Sequence, residues 1–571
     1  MVVHNTVEPD MAHLVKKIVK GHAYWYARAC HRVGGRVVTA WQRYLGTAEH
    51  ILSRAVAPPP PESLHIAHAG HVAALYSAAQ HVGMVDIVNR LAPKRAQGAS
   101  PGQFLLVAAI NRICAPCGKV AIPAWLAKTP LPRWLGHPPE TFDSQAFWNH
   151  MNRLTPKAMR AIEQELTAFV VREFDLPLRT VLFDETNYYT FIHSFNERCA
   201  LPQRGHNKQK RTDLRQVGLA LLADATYQLP LFHDVYDGNR PDPTEFGSIV
   251  EEMARRLRTL RDNCEGITIV MDKGQNSEEN IAALSAHDHV HFIGSLVPTQ
   301  HEDLLAVPLR QYKPCEGREG WHAYRTQTEA LGSLHTVVVT HNVEFQDAQT
   351  QCLWREIGKA RSALFALGRQ MRQWNGRGIK PTIASVSSRA ALILRGRHMK
   401  ELFSTRVYET NGGVRLAFSF DHRAADRLIR SLFGKTILFT DQHSWDTTDI
   451  VESYHSQQRI EDMFRVTKNG GGVAWFPMFH WTDHHIRVHA FYCMLALLLR
   501  GVILRTLRTA GISMTPERAL EHLEDIAEVA QIYPDGRALI TTNSVTPIQR
   551  TLYELFKLDC WMAPLLGTTP Q

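Results

Sequence analysis

Between Arg179 and Leu296 the spacing of apolar residues changes from a helical to a strand period. The order of elements that follows limits the fold more than any other part of the chain. Arg179 to Phe183 reads as a short apolar strand ending in Asp184, and Gln216 to Ala223 as a second strand. Asp224-Ala225-Thr226 makes a tight turn into a third strand, Tyr227 to Tyr236. Thr244 to Leu260 is an amphipathic helix, and Ile267 to Met271 is a fourth strand ending in Asp272. Ser277 caps a helix to Ala286 with Glu278 and Glu279 in its first turn, and His289 to Leu296 is a fifth strand. Three strands, two of them a hairpin, followed by αβαβ predict a mixed α/β core.

The remaining elements are arranged around that core. At 571 residues the chain exceeds one compact core. Residues 1–55 hold a small β element, with Tyr24 to Val33 turning at Gly34-Gly35 into Arg36 to Tyr44. Pro58 to Pro61 form a semi-rigid linker. Residues 64–175 carry helix-period spacing, which predicts a helical DNA-binding or oligomerisation domain; a plain helical scaffold fits equally well. The core is expected over 176–297 and 448–510. Residues 298–447, with four tryptophans and a basic helix from Arg355 to Arg377, look like an insertion. Residues 511–571 are expected to be helical, with Thr515 to Ala530 as one helix and Pro534-Asp535-Gly536 as a hairpin turn.

Lys and Arg exceed Asp and Glu by nine, with a pI of about 9.0, a mild bias towards a polyanionic partner. The nine cysteines are odd in number and scattered, which argues against a disulfide framework and for a reducing compartment. Cys114-x-x-Cys117 lacks the second pair that a zinc site needs, so it reads as structural. The N-terminus lacks an apolar signal core, and Ala490 to Leu504, interrupted by Arg500, reads as a buried helix. The expectation is an intracellular, cytoplasmic protein with no membrane partner.

Two acids close apolar strands, Asp184 and Asp272. Strand ends of open α/β sheets collect ligands, although an Asp there is also a common turn or cap residue. A third acid, Glu461, lies on a helix expected over Asp449 to Lys468. At about 100° per residue, Tyr454, Gln457, Glu461, Arg465 and Lys468 share one face, which taken alone is a solvated face of i,i+4 pairs. Three carboxylates from separate elements can converge on two divalent cations, and oxygen-only ligands favour Mg²⁺ or Mn²⁺ over Zn²⁺. Lys208, Lys210 and Arg211, and the Arg355 to Arg377 stretch, are candidate backbone contacts, with a solvated face as the alternative.

Asp184, Asp272 and Glu461 in this order resemble the Asp-Asp-Glu triad of insertion-sequence transposases with a ribonuclease H-like core. Tyr454-x2-Gln457-x3-Glu461-x6-Lys468 resembles the Tyr-Arg-Glu-Lys signature of one branch of bacterial DDE transposases. Arg204 to Lys208 with Asp213 to Val217, Tyr236-Asp237-Gly238-Asn239, and Asp272-Lys273-Gly274 resemble further segments of that group. So do Ala109 to Arg112 and Trp41-x2-Tyr44-Leu45-Gly46. The sequence departs from the signature where the family has Arg and this chain has Gln457, an uncharged amide.

The resemblance implies two Mg²⁺ (Mn²⁺ as substitute) held by Asp184, Asp272 and Glu461, and DNA contacts from Tyr454, Gln457, Arg465 and Lys468. It also implies cleavage of double-stranded DNA at terminal inverted repeats, joining of the 3′-ends to target DNA, and a homodimer on DNA. Trp321, Trp354 and Trp374 are candidates for stacking on a flipped base, with core packing as the alternative. A catalytically silent DNA-binding protein derived from a transposase is the rival reading, and another metal-dependent nuclease with the same core is a second.

Overall fold

The computed structural model describes residues 12–33, 36–55, 60–93, 97–193, 195–205, 211, 213–240, 242–260, 266–374, 376 and 379–565. The chain divides into two units. One comprises residues 1–67, 527–544 and 563–571, and the other 68–526 and 545–562.

In the smaller unit three antiparallel strands, Ala12–Val19, His22–Val33 and Arg36–Gly46, form a meander. Its first turn, Lys20-Gly21, takes positive φ at both residues (50° and 82°), the twist-matched geometry of a two-residue hairpin. The expected β element is therefore present, with one strand more than the sequence reading had. A second sheet runs in the order Ala538–Thr542, Ala527–Ile532, Ser63–His68. This corrects the helical expectation for 511–571 in part, since helices Pro516–Glu524 and Pro547–Leu555 flank the strands. The helix begins at Pro516 and ends at Glu524, and Ala527–Ile532 pairs with Ala538–Thr542 across the Pro534-Asp535-Gly536 turn. Val529, Ile532 and Tyr533 favour the strand, and the Tyr533 amide donates to the Arg537 carbonyl at 2.9 Å to close the hairpin.

The larger unit begins with helices Gly70–His81, Met84–Leu91, Pro101–Cys114, Ser144–Arg153 and Pro156–Glu173, all inside the block whose spacing is helical. The later starts are locally encoded. Ser100 and Gln103 form a reciprocal capping box, and Thr155 caps the helix that opens with Pro156. Helix Asp483–Thr509 is long and apolar enough to cross a membrane, but 89% of its apolar window is buried, so it serves here as a core helix.

Nine strands form one mixed sheet, ordered 313–314, 321–330, 333–342, 435–440, 290–296, 267–270, 180–190, 215–224, 230–237. Taking 180–190, 215–224, 230–237, 267–270 and 290–296 as strands one to five, their spatial order is 3-2-1-4-5, with only the second antiparallel to its neighbours on both sides. The first strand runs from Thr180 to Thr190, so Asp184 lies within it and does not end it.

Residues 298–447 do not form a separate insertion throughout. Strands Ser333–Asn342 and Lys435–Thr440 enter the main sheet beside Val290–Leu296. The physical reason is the run Val337-Val338-Val339, fully buried on both faces as an interior strand requires. Residues 343–434 between them build their own core around Leu353, Leu364, Val386, Ala390, Leu402, Phe403 and Ala425. This part consists of helices Val343–Arg372, Ile383–Ile393 and His422–Leu432 with one hairpin, Phe403–Thr410 and Gly413–Phe420.

Candidate active site

Asp184 and Asp272 are set by adjacent parallel strands. Leu182 pairs with Val270, and each acid stands two residues further on, so the register brings them to one level on one face of the sheet. Asp184 is half-buried and accepts from the Glu185 amide at 2.8 Å. Asp272 is half-buried and caps the turn Lys273–Gln275, accepting from the Lys273 amide at 2.8 Å. That turn is fastened from below. The Asn276 side chain donates to the Ser295 carbonyl (2.7 Å), Asn280 to the Gln275 carbonyl (2.8 Å), and Gln275 to the buried Glu185 carboxylate (3.4 Å).

Glu461 reaches the same end of the sheet from a helix. The expected Asp449 to Lys468 helix is broken into Thr447–His455 and Gln458–Asn469. At the break the Gln457 amide bonds back to Tyr454 (3.1 Å), and the amides of Arg459 and Ile460 to Ser456 and Gln457 (2.9 and 3.1 Å). These are i→i−3 bonds, tighter than the α pattern, so the uniform 100° step does not hold across the break. Gln457 sits at this joint and is buried. Glu461, in the first turn of the second helix, is exposed.

Contacts from Tyr188 and Thr186 fasten that helix, and the segment after it, to the first strand. The Tyr188 hydroxyl pairs with Thr467, the Tyr188 ring stacks on buried Trp475 (3.9 Å, 12°), and the Lys468 ammonium donates to Thr186 while lying 5.5 Å from the Tyr188 ring centroid. Thr186 is two residues beyond Asp184 on the same strand face, so Lys468 lies next to that carboxylate's position. The segment after the helix is held by Arg112, buried and donating to the Cys117 and Pro477 carbonyls. Asn111 and Arg112 thus act as scaffold, and Cys117 as part of the loop they pin.

Tyr454 links the acids. Its phenol is pushed up to about 12, first by burial and then by the charges of Asp272 and Glu461, while its hydrogen bond to Ser295 works the other way. Its hydroxyl therefore stays protonated at neutral pH. Beside it, His455 meets the Trp321 ring edge-on at 4.3 Å.

The other expected residues lie elsewhere or have other partners. Arg465 is exposed and pairs with Asp462 at 2.8 Å, bordering a cleft shared with Arg500 and Arg508. Arg211 pairs with Asp213 at 2.8 Å, and Lys208 and Lys210 lie outside the described residues. Trp354 and Trp374 are 41% and 38% exposed on the 343–434 part, and the Trp354 ring lies 6.0 Å from that of Phe420 in strand Gly413–Phe420. Ser295 escaped the sequence reading, because nothing in its strand distinguishes it. Thr186 was within reach, because strand alternation from Asp184 points to it.

The donor set suits a hard cation, since all three acids offer only carboxylate oxygens. Among the described residues, no three His, Cys, Asp or Glu side chains are drawn together closely enough to hold a metal ion. Asp184 and Asp272 share a level on adjacent strands without forming a closed cage with Glu461.

The fold and site together define a mixed α/β protein with acidic groups at one end of a central sheet. No protein-family model matches the chain, and a search of curated proteins finds no match. Among solved structures it is similar to piggyBac transposase in a synaptic complex with hairpin DNA, at 9% identity and a TM-score of 0.33, over 79% of this chain and 78% of that one. It is also similar to Mos1 transposase in a paired-end complex with the left transposon end, at 11% identity and a TM-score of 0.15, over 35% of this chain and 60% of that one. Similarity at these scores carries no argument about activity.

Proposed function

We propose that the protein is a metal-dependent DNA transposase, of the insertion-sequence kind with a ribonuclease H-like core, acting on element ends and target DNA. What supports this reading is the register that sets Asp184 and Asp272 at one level on adjacent strands, with Tyr454 feeling the charges of both Asp272 and Glu461. The 3-2-1-4-5 strand order supports the same core. In this reading Asp184, Asp272 and Glu461 would hold two Mg²⁺, or Mn²⁺ as a substitute. The ions would supply Lewis-acid activation of a water or 3′-hydroxyl.

The chain's own groups have separate tasks. Tyr454, protonated at neutral pH, offers a hydrogen-bond donor beside the acids. Lys468, exposed at the end of its helix, offers a cation for a phosphate next to Asp184. A homodimer would bring two inverted-repeat ends together. The rival, a catalytically silent DNA-binding descendant of a transposase, is favoured by one observation: Gln457, where the signature has Arg, is neutral and buried.

A Mg²⁺-dependent cleavage assay on DNA carrying the element end separates the two. Asp184→Ala, Asp272→Ala and Glu461→Ala are expected to abolish strand cleavage while end binding persists. If a triad variant still cuts, the proposal fails; if the parent binds ends without cutting, the silent reading holds.

A further inference from the structure

The three-stranded meander of the smaller unit has a charge and aromatic pattern that the carboxylate site does not explain. From Met11 to Ala48 the sequence holds seven Lys or Arg and no Asp or Glu, in a chain whose whole excess is +9. The strand register sorts these residues onto faces. Lys17 pairs with Tyr24, Val15 with Tyr26, Tyr26 with Tyr44, and Arg28 with Gln42, so Lys17, Tyr24, Tyr26, Arg28 and Tyr44 share one face.

Side-chain contacts agree with that register. The Tyr44 ring lies 6.0 Å from Tyr24 and 5.3 Å from Tyr26, both tilted. The Lys17 ammonium sits 4.9 Å from the Tyr26 centroid, and Arg28 donates to Gln42 at 3.0 Å. Tyr44 is 53% exposed, so the cluster opens to solvent. Three rings flanked by cations, with no acid in the run, complement a polyanion that also presents flat apolar faces. Unpaired bases have such faces, whereas a duplex keeps its bases stacked inside.

We infer that this face of the meander binds single-stranded nucleic acid, with a base on the Tyr24–Tyr26–Tyr44 cluster and backbone phosphates on Lys17 and Arg28. The site is built only from residues of the meander and does not depend on the transposase reading.

Fluorescence anisotropy of the full chain with a labelled oligothymidine of about 12 nucleotides tests it. Tyr44→Ala is expected to weaken binding by about tenfold, while Tyr44→Phe, which keeps the ring, binds as the parent does. Lys17→Gln is expected to lower the slope of log affinity against log salt by about one. Lys400→Gln, an exposed lysine in Met399–Leu402 of the larger unit, should bind normally, which separates this site from a general loss of positive charge. Because Tyr44 and Lys17 are exposed, a thermal melt should show each variant folded. Equal affinity of parent, Tyr44→Ala and Lys17→Gln would overturn the inference. So would capture by phosphatidylserine vesicles with no oligonucleotide binding.

Discussion

Glu163 shows how much one buried charge can hold in this protein. Burial alone would push its carboxyl up, but His233 and Arg256 outweigh it and keep the group below the usual carboxylate range. One carboxylate oxygen meets the His233 ring and its backbone amide (3.1 Å to the amide). The other meets Arg256, whose side chain is only 5% exposed and also reaches Glu252 at 3.0 Å. Three elements are tied together there: helix Pro156–Glu173, strand Pro230–Asp237 and helix Asp242–Leu260. Removing one partner of a buried pair leaves the other charged without compensation, which typically costs about 3–5 kcal/mol. Glu163→Ala should therefore lower unfolding stability by about that amount in urea denaturation; a loss under about 1 kcal/mol would mean that Glu252 alone satisfies Arg256. Nothing in the sequence marks Glu163, because its partners lie 70 and 93 residues away.

At the scale of elements, what was readable depended on whether the signal was local. The helical spacing over 64–175 is local, and three of the helices there, starting at Pro101, Ser144 and Pro156, also carry side-chain caps. Asp184, Asp272 and Glu461 were visible as acids on particular elements, and the register accounts for the first two sharing a level. The break at Ser456-Gln457 was not readable: no Pro or Gly marks it, and one continuous amphipathic period runs through it. Membership of Ser333–Asn342 in the main sheet was also hidden, because pairing with Lys435–Thr440 spans almost a hundred residues and leaves no local trace.

Gly238, by contrast, stands in a segment the sequence had singled out, and the structure supplies a reason for it. A Cβ there would come within 1.8 Å of the Gln216 carbonyl oxygen, at the end of strands Arg215–Asp224 and Pro230–Asp237. The Gln216 amide group also donates to the Gly238 carbonyl at 2.8 Å. Because the obstacle is backbone, it cannot swing aside, so Gly238→Ala should destabilise by about 1–3 kcal/mol or more. Chemical denaturation of the variant checks this, and an unchanged midpoint would show that the strand ends separate freely.

For the whole molecule the clearest consequence of burial is a dependence on pH. His71, His455 and His485 are each pushed down to about 4, and His480 and His489 well below their ordinary value, in every case first by burial. Burial also lowers His335 and His341. His291 goes the other way, raised by its hydrogen bond to Asp441, whose carboxylate is 2.9 Å from the ring. A histidine lowered in the folded state stays neutral there while the unfolded chain takes up a proton near pH 6.5. Its contribution is thus intact above about 6.5 and is lost progressively towards about 4. His291 contributes the opposite slope, present in acid and lost as pH rises through its raised value. Among the described histidines seven groups stand against one, and their balance is a loss on acidification, opposed by Asp224 and Asp234, which burial raises. Each histidine that remains neutral steepens the slope by about 1.4 kcal/mol per pH unit. Urea midpoints at about pH 7.5, 6 and 5 should fall in that order. His480→Phe or His489→Phe should flatten the fall even if it lowers stability at neutral pH, since the ring that must take a proton on unfolding is gone. A midpoint that holds steady from pH 7.5 to 5 would show that the folded protein admits these protons, and that the histidines around helix Asp483–Thr509 are more accessible to water than their packing implies.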